Sequence, residues 1–285
     1  MRYKIFDRKF ITQKRFLLII MIINLFFVRV SFFVKRNIKK VCDHWEEIFL
    51  LEVSELNFKY INVQALNNVN IKVDAGKIVT VFGKVSSGKS TMFKIIAGLM
   101  KPDNGDIKYM GNSILKNRHK NLNGKMVCIE RHKGLFLGLT VKENLELGAW
   151  QIRDKFVLKK RFNVILDLIP NLEKSFNTPA EKLCNGEQML TLIARSIFSQ
   201  PDLIVIDEPT FGFYQLFADK ILELIRKANR NLGITFLLMQ QSLGEAIKIA
   251  DWIYELDLGE IVKQGDSKSF EYFDYVDNAE IKTGF

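Results

Sequence analysis

Two short stretches of this chain combine residue types and spacings that could handle a polyphosphate. In VFGKVSSGKST, Val81 to Thr91, the residues Gly83, Gly88, Lys89 and Ser90 fit the pattern G-x-x-x-x-G-K-S/T. Glycine lets the backbone turn tightly, so that N–H groups at a helix N-terminus face an anion. The lysine then adds a point charge, and the serine hydroxyl can ligate Mg²⁺. The expected cradle is Gly83, Lys84, Val85, Ser86, Ser87, Gly88, Lys89, Ser90 and Thr91. Ser86 and Ser87 stand where such loops usually carry glycine or another small residue, so backbone clearance is expected to be less than ideal. The second stretch, PDLIVIDEPT (Pro201 to Thr210), ends an apolar run on two carboxylates, Asp207 and Glu208. An aspartate there can hold Mg²⁺ through water, and the neighbouring glutamate can orient or deprotonate an attacking water. Together the two stretches predict Mg-nucleotide hydrolysis, with Ser90 and Asp207 at the metal and Glu208 at the water.

These residues need a scaffold that brings the two stretches together. KIVTVF, Lys77 to Phe82, is an apolar β-branched run of strand length after the turn signal DAG, and TMFKIIAGL, Thr91 to Leu99, places Met92, Ile95, Ile96 and Leu99 at helical spacing. Strand, glycine loop and helix in that order is the setting a phosphate loop requires. Leu51 to Val73 holds two alternating runs, LEVSELNFKY and VNIKV, which read as antiparallel strands. KPDNGDIKY reads as a turn and a strand, and KMVCIE as a further strand. From Thr140 to Gln200 the pattern is helical, broken at Pro170. LIVID and ITFLLM (Ile234 to Met239) are continuous apolar runs expected to be buried parallel strands, and WIYELDLGEIVKQG reads as a closing hairpin. In an α/β sheet the C-terminal strand ends face the ligand crevice, which would set Asp207 and Glu208 beside the phosphate loop.

Charge and cysteine usage narrow the function class. The chain has 285 residues, with 42 Lys/Arg against 32 Asp/Glu. Residues 1–42 hold eleven of the basic residues and one acid, Asp7, so the remaining 31 basic and 31 acidic residues cancel. A duplex-binding protein would carry its positive patch on the folded domain, and here the body is neutral, so no nucleic-acid partner is expected. Cys42, Cys128 and Cys184 are far apart and odd in number, which excludes a disulfide framework and suits a reducing compartment.

The basic N-terminal arm, residues 1–47, contains a 19-residue apolar stretch, Phe16 to Val34, interrupted by Asn24 and Arg29. Its Phe, Leu, Ile and Val favour insertion by about 5–9 kcal/mol, against which Arg29 near the centre would cost about 3. The flanking charges would hold the N-terminus in the cytosol and send the rest of the chain outside, away from ATP. Three readings stand: an anchor with its N-terminus outside, an arm lying on anionic lipid, or sequence absent from the mature protein. The ordered pattern begins near Phe49. The boundaries read from the sequence are therefore an extension over 1–47, a body over 48–270 with a helical subdomain at about 135–200, and a tail over 271–285.

LCNGEQMLTLIARSIFSQPDLIVIDEPT, Leu183 to Thr210, resembles the signature-to-Walker-B block of ATP-binding cassette (ABC) ATPases, spacing included, and the resemblance covers roughly residues 50–270. It implies an α/β P-loop NTPase with a mostly parallel core sheet, an antiparallel β subdomain and a helical subdomain. It also implies ATP and Mg²⁺ as cofactors, and a head-to-tail dimer in which each ATP lies between one subunit's phosphate loop and the other's signature. By the same resemblance Tyr60 falls on the adenine-stacking aromatic, with Phe58 as the competing core residue. Glu130 falls on the Q-loop glutamine and Gln241 on the switch histidine, which implies catalytic roles for both beside Glu208. The chain's three histidines, His44, His119 and His132, all precede the 234–239 strand. LTVKENLELGAW, ILDLIPNLEK and LLMQQSLGEAIKIAD resemble the second ATPase of branched-chain amino-acid importers, whereas ERHKGLFLGLTVKEN is similar to the second cassette of sugar or nucleoside importers. Either resemblance implies transmembrane permease subunits, an external solute-binding protein acting through them, and a position at the cytoplasmic face of the membrane.

The signature L-S-G-G-E/Q-Q reads here Leu183, Cys184, Asn185, Gly186, Glu187, Gln188. A thiol at Cys184 is a weaker donor to a γ-phosphate than serine, and the Asn185 side chain replaces a glycine that lets backbone approach phosphate. FGFYQ follows Thr210 where the family's D-loop aspartate would stand. These departures leave two readings open: a hydrolysing subunit, most readily in an asymmetric heterodimer, and a subunit that binds ATP without hydrolysing it. A DNA-repair or chromosome-associated member of the family would need a coiled-coil or zinc insertion or a basic body, and the sequence has none of these.

Overall fold

A computed structural model describes residues 49–115, 122, 125–131 and 133–270, within a unit that spans Phe49–Phe285. The readings of the 1–47 arm and the 271–285 tail lie outside the described residues. Among the described residues no helix is long and apolar enough to cross a membrane.

Two sheets form the frame. β1 (Leu51–Tyr60), β2 (Val63–Val73), β4 (Asn104–Tyr109) and β5 (Asn112–Ser113) make an antiparallel sheet in the order β2-β1-β4-β5. β2 starts six residues earlier than the VNIKV run suggests, because Gln64 and Leu66 pair with β1 across register shifts that plain alternation does not reveal. The second sheet runs β10-β9-β3-β8-β7-β6, built from β3 (Ile78–Phe82), β6 (Met126–Ile129), β7 (Leu203–Asp207), β8 (Thr235–Gln240), β9 (Trp252–Asp257) and β10 (Glu260–Asp266). β9, β3, β8, β7 and β6 are parallel, and β10 closes the edge as the antiparallel half of the expected hairpin.

Every residue of β7 and β8 is buried, as the unbroken apolar runs require of parallel strands covered on both faces. Alternation splits the core between the two faces. Val79, Val81, Leu203, Val205, Leu237 and Met239 meet α1 (Lys89–Ile96) and the antiparallel sheet. Ile78, Ile204, Ile206, Phe236 and Leu238 meet the helices on the other side. Those helices are α2 (Val141–Leu147), α3 (Lys155–Leu168), α4 (Asn185–Phe198) and α5 (Gln215–Leu232), and α6 (Leu243–Ile249) follows β8. α3 ends before Pro170, which opens a 3₁₀ turn over Pro170–Ser175. This is where a residue lacking N–H and restricting its predecessor should stop a helix. α1 is shorter than its periodicity suggests: it ends at Ile96, Gly98 takes φ 73, and Leu99, read at helical spacing with Met92, Ile95 and Ile96, is 62 % exposed.

One buried amide fixes the loop that joins the parallel sheet to the helical region. Asn144, fully buried on α2, donates through Nδ2 to the carbonyls of Phe136, Leu139 and Thr140, and its Oδ1 accepts from Phe136 N. The capping box of Thr140 and Glu143 holds the same turn from the outside. Replacing Asn144 with Ala leaves Phe136 N without its acceptor and takes the second donor from three carbonyls that each keep a main-chain N–H, so the loss is that of one stranded donor, about 1–3 kcal/mol, plus the bonds removed. The expected outcome is a loss of about 2–4 kcal/mol of stability, read as a lower midpoint in urea unfolding.

Candidate active site

Three parallel strands end side by side, and their main chains are tied where they leave the sheet. Gly83 N donates to Gln240 O at 3.1 Å, and Glu208 N donates to Met239 O at 2.9 Å. The segments following β3, β7 and β8 therefore share one crevice at the carboxyl edge, where α/β sheets bind ligands. The crevice opens into a cavity of about 360 Å³, lined by Tyr60, Val63, Gln64, Ala65, residues 85–91, Arg131, Glu208 and Gln241.

The loop leaves no space for side chains at its two glycines. A Cβ on Gly83 would collide with the Leu256 carbonyl and lie 2.6 Å from Ser87 Oγ. Gly88 has φ 110, and a Cβ there would sit 2.5 Å from the Ala65 carbonyl. Ser86 adopts φ 65, a left-handed conformation that costs a non-glycine residue about 1–2 kcal/mol, and it is exposed. Ser87 is buried and accepts Gly259 N through its carbonyl, which clamps the loop to the turn between β9 and β10.

Lys89 is buried at the head of α1 and folds back onto the loop. Its Nζ donates to Gly83 O at 2.6 Å and Lys84 O at 2.8 Å, with Ser87 Oγ at 3.4 Å. Burial pushes its amine below the ordinary lysine range, partly offset by Glu208 and Asp207. Lys84 contributes its carbonyl, and its side chain and that of Val85 are exposed. Ser90 Oγ donates to Asp207 Oδ1 at 3.4 Å. That hydroxyl–carboxylate pair suits Mg²⁺, which takes one or two protein oxygens and fills its remaining positions with water and phosphate. Asp207 and Glu208 are each 5 % exposed. Burial first, and then the Glu208 carboxylate, raises the Asp207 carboxyl above its ordinary range, against the lowering effects of Ser90, Arg131 and Lys89. A divalent cation would offset that electrostatic cost.

Glu208 has both oxygens engaged. Gln241 Nε2 donates to Oε1 at 2.8 Å, and Arg131 NH1 donates to Oε2 at 2.9 Å. Arg131 is the site residue that sequence reasoning passed over. Glu130, placed at the Q-loop glutamine, does not line the cavity; its carboxylate accepts from Lys133 Nζ at 2.9 Å. The next residue reaches inward instead, with the Arg131 guanidinium 4.4 Å from the centre of the Phe211 ring. The only signal in the sequence was a basic residue two positions beyond the end of β6.

At the adenine end, Tyr60 lies on the cavity rim, 44 % exposed, its hydroxyl 3.5 Å from Thr91 Oγ1 and 3.4 Å from Met100 Sδ. Phe58 packs against the core and meets Tyr60 edge-on at 4.8 Å, so the two aromatics divide the structural and site positions between them. Cys184 caps α4, and its N–H donates to Glu187 Oε2 at 3.0 Å. Cys184, Asn185 and Glu187 are exposed, Gly186 is packed against Phe217, and Gln188 donates to the Ala180 and Leu183 carbonyls. None of the five lines this chain's own cavity.

A family model described as "ABC transporter" matches residues 66–211, a span that includes the phosphate loop, the segment at 184–188 and both acids. The chain belongs to the ABC transporter family. It is 31 % identical over 214 residues to the high-affinity branched-chain amino acid transport ATP-binding protein BraG of Pseudomonas aeruginosa, covering 75 % of this chain and 91 % of that protein. It is 29 % identical over 219 residues to the xylose/arabinose import ATP-binding protein XylG of Sulfolobus acidocaldarius, covering 75 % and 86 %. Among solved structures, the ATP-binding cassette MJ0796, a dimer bound to ADP and phosphate, superposes with a TM-score of 0.67 at 26 % identity, covering 76 % of this chain and 98 % of that one. The expected fold class is the observed one: a P-loop ABC ATPase fold with a mostly parallel core sheet and an antiparallel β sheet beside it.

The raised Asp207 carboxyl carries a stability consequence. A carboxyl whose folded-state pKa lies above its unfolded value stabilises the fold at low pH and loses that contribution as pH rises through the folded pKa. Without nucleotide, ionising Asp207 therefore weighs against the fold. Asp207→Asn is expected to raise the thermal midpoint of the nucleotide-free chain at pH 7, with the advantage shrinking as pH falls toward the ordinary Asp range, about 4, and absent below it. Scanning calorimetry across that range is the check, and a variant less stable at every pH would contradict it.

Proposed function

We propose that this chain is the nucleotide-hydrolysing subunit of an ABC importer, and that it carries out MgATP hydrolysis at the cavity between the phosphate loop and the 207–208 acids. The observation that carries this reading is the convergence of Lys89, Ser90, Asp207, Glu208 and Gln241 on one crevice. The loop amides from Gly83 to Ser90 and the Lys89 ammonium bind the phosphates, Ser90 and Asp207 hold Mg²⁺, and Tyr60 stacks on the base. Bound Mg²⁺ would neutralise charge developing on the phosphates and fix their orientation. Glu208 orients the attacking water and accepts its proton, and Gln241 holds the Glu208 carboxylate in place. Cys184, Asn185, Gly186, Glu187 and Gln188 serve the nucleotide of a second cassette, which accounts for their absence from this chain's own cavity lining. Glu130 acts outside the chemistry, at the turn before the helical subdomain.

The likeness to BraG supports branched-chain amino acids as the cargo, with permease subunits and an external solute receptor as the larger assembly. The near-equal likeness to XylG supports pentoses as the second reading. The body over 48–270 acts at the cytoplasmic face of the membrane, where the basic and apolar 1–47 extension is suited to contact with anionic lipid. The neutral charge of the remaining chain speaks against a nucleic-acid partner.

Purified full-length protein, assayed alone and with co-purifying membrane subunits, is expected to hydrolyse MgATP. Glu208→Gln should lower turnover by about 10²–10⁴-fold, the usual contribution of a positioned base, with ATP binding undiminished. Unchanged turnover in that variant removes Glu208 from its role. Tight ATP binding without turnover in the complete assembly would instead identify a subunit that binds but does not hydrolyse.

A further inference from the structure

The cavity holds two cations, and they are held very differently. Lys89 is anchored to neutral oxygens of its own loop, two main-chain carbonyls and the Ser87 hydroxyl, so its position does not depend on a charged partner. Arg131 is held by one ion pair, NH1 to Glu208 Oε2 at 2.9 Å, and by the Phe211 ring face. A ring face holds a guanidinium through its plane and engages none of its five N–H donors. Among the described residues most of the hydrogen-bonding capacity of Arg131 is therefore uncommitted, and its side chain is 39 % exposed where it borders the cavity. Glu208, by contrast, is nearly sealed and is retained by Gln241 on its other oxygen. If the ion pair opens, the arginine moves and the glutamate stays.

We propose that Arg131 exchanges its Glu208 partner for the terminal phosphate of a bound nucleoside triphosphate, and so acts as the residue by which this site distinguishes triphosphate from diphosphate. The inference rests on the nucleotide-binding reading above. A terminal phosphate carries more negative charge than a carboxylate and offers oxygens that match the guanidinium fork. In the resting chain the arginine neutralises the buried glutamate and occupies one of its oxygens. With a triphosphate in place the arginine is drawn to the greater charge, and that oxygen becomes available to a water. A diphosphate, gripped by the loop amides and Lys89, lacks the terminal group and leaves the pair closed. The Phe211 ring supports the guanidinium from a separate segment without competing for its donors.

Equilibrium binding of Mg-ADP and of a non-hydrolysable Mg-ATP analogue to the full-length chain tests this without reference to turnover. Arg131→Ala is expected to weaken the triphosphate analogue by about tenfold or more, the value of one charge-assisted hydrogen bond, and to leave ADP within about twofold. Arg131→Lys should recover part of the difference, and Glu208→Gln should tighten the analogue, because the arginine is no longer held back. Arg131→Gln serves as the uncharged second variant should the alanine form unfold, with the same expected loss of discrimination. Equal losses for both nucleotides, or no change for either, would make Arg131 a structural ion pair only and overturn the proposal. A wild-type chain that binds neither nucleotide would overturn the underlying reading and this inference with it.

Discussion

The main chain between Gly83 and Gly88 runs through a gap too narrow for a Cβ at either end. On one side stands the Leu256 carbonyl of β9, and on the other the Ala65 carbonyl and Leu66 side chain of β2. The loop is thus wedged between both sheets, and the spacing of the sheets sets the hollow into which its amides converge. Other features follow from that fit. α1 begins at Lys89 because the backbone emerges there in helical geometry, and the Met92–Ile96 face of that helix is what glues the antiparallel sheet to the parallel one. The lysine amine has nowhere to go but back over the loop carbonyls, and the cavity rim at Tyr60 lies where β1 turns into β2 above the same loop.

Charge is distributed in this frame at a cost to the fold. Two carboxylates are buried next to each other, and one cation is tied to neutral oxygens rather than to either acid. The Asp207 carboxyl is held above its ordinary range, as expected of a site suited to a divalent cation it must acquire from outside. Glu208 also takes φ 50, a strained backbone conformation for a glutamate and a kind that concentrates at functional sites. Stability is supplied elsewhere, by the double-sided burial of β7 and β8 and by amide clamps such as Asn144.

Much of the core was legible from the sequence because buried parallel strands, glycine loops and proline stops each follow from a single local rule. IVTVF, LIVID and TFLLM announce themselves as continuous apolar runs, and Pro170 ends α3 where its chemistry says it must. What was not legible depends on which way a side chain turns after a strand ends. Glu130 and Arg131 are neighbours of opposite charge just beyond β6, and nothing in their types says which faces the cavity. The fold decides it by giving Lys133 to Glu130 and the Phe211 ring to Arg131. Leu99 fits the helical period but follows Gly98, whose left-handed turn ends the helix first. The early start of β2 escaped for a related reason, since irregular register with β1 breaks the alternation that would reveal it.

Amide hydrogen exchange of the full-length protein with and without saturating Mg-nucleotide tests most directly whether the hollow between the two sheets grips a polyphosphate. The account predicts slowed exchange across residues 83–91, at the loop amides that would donate to phosphate, with the β9–β10 hairpin little changed. Exchange at 83–91 that is the same with and without nucleotide would contradict it.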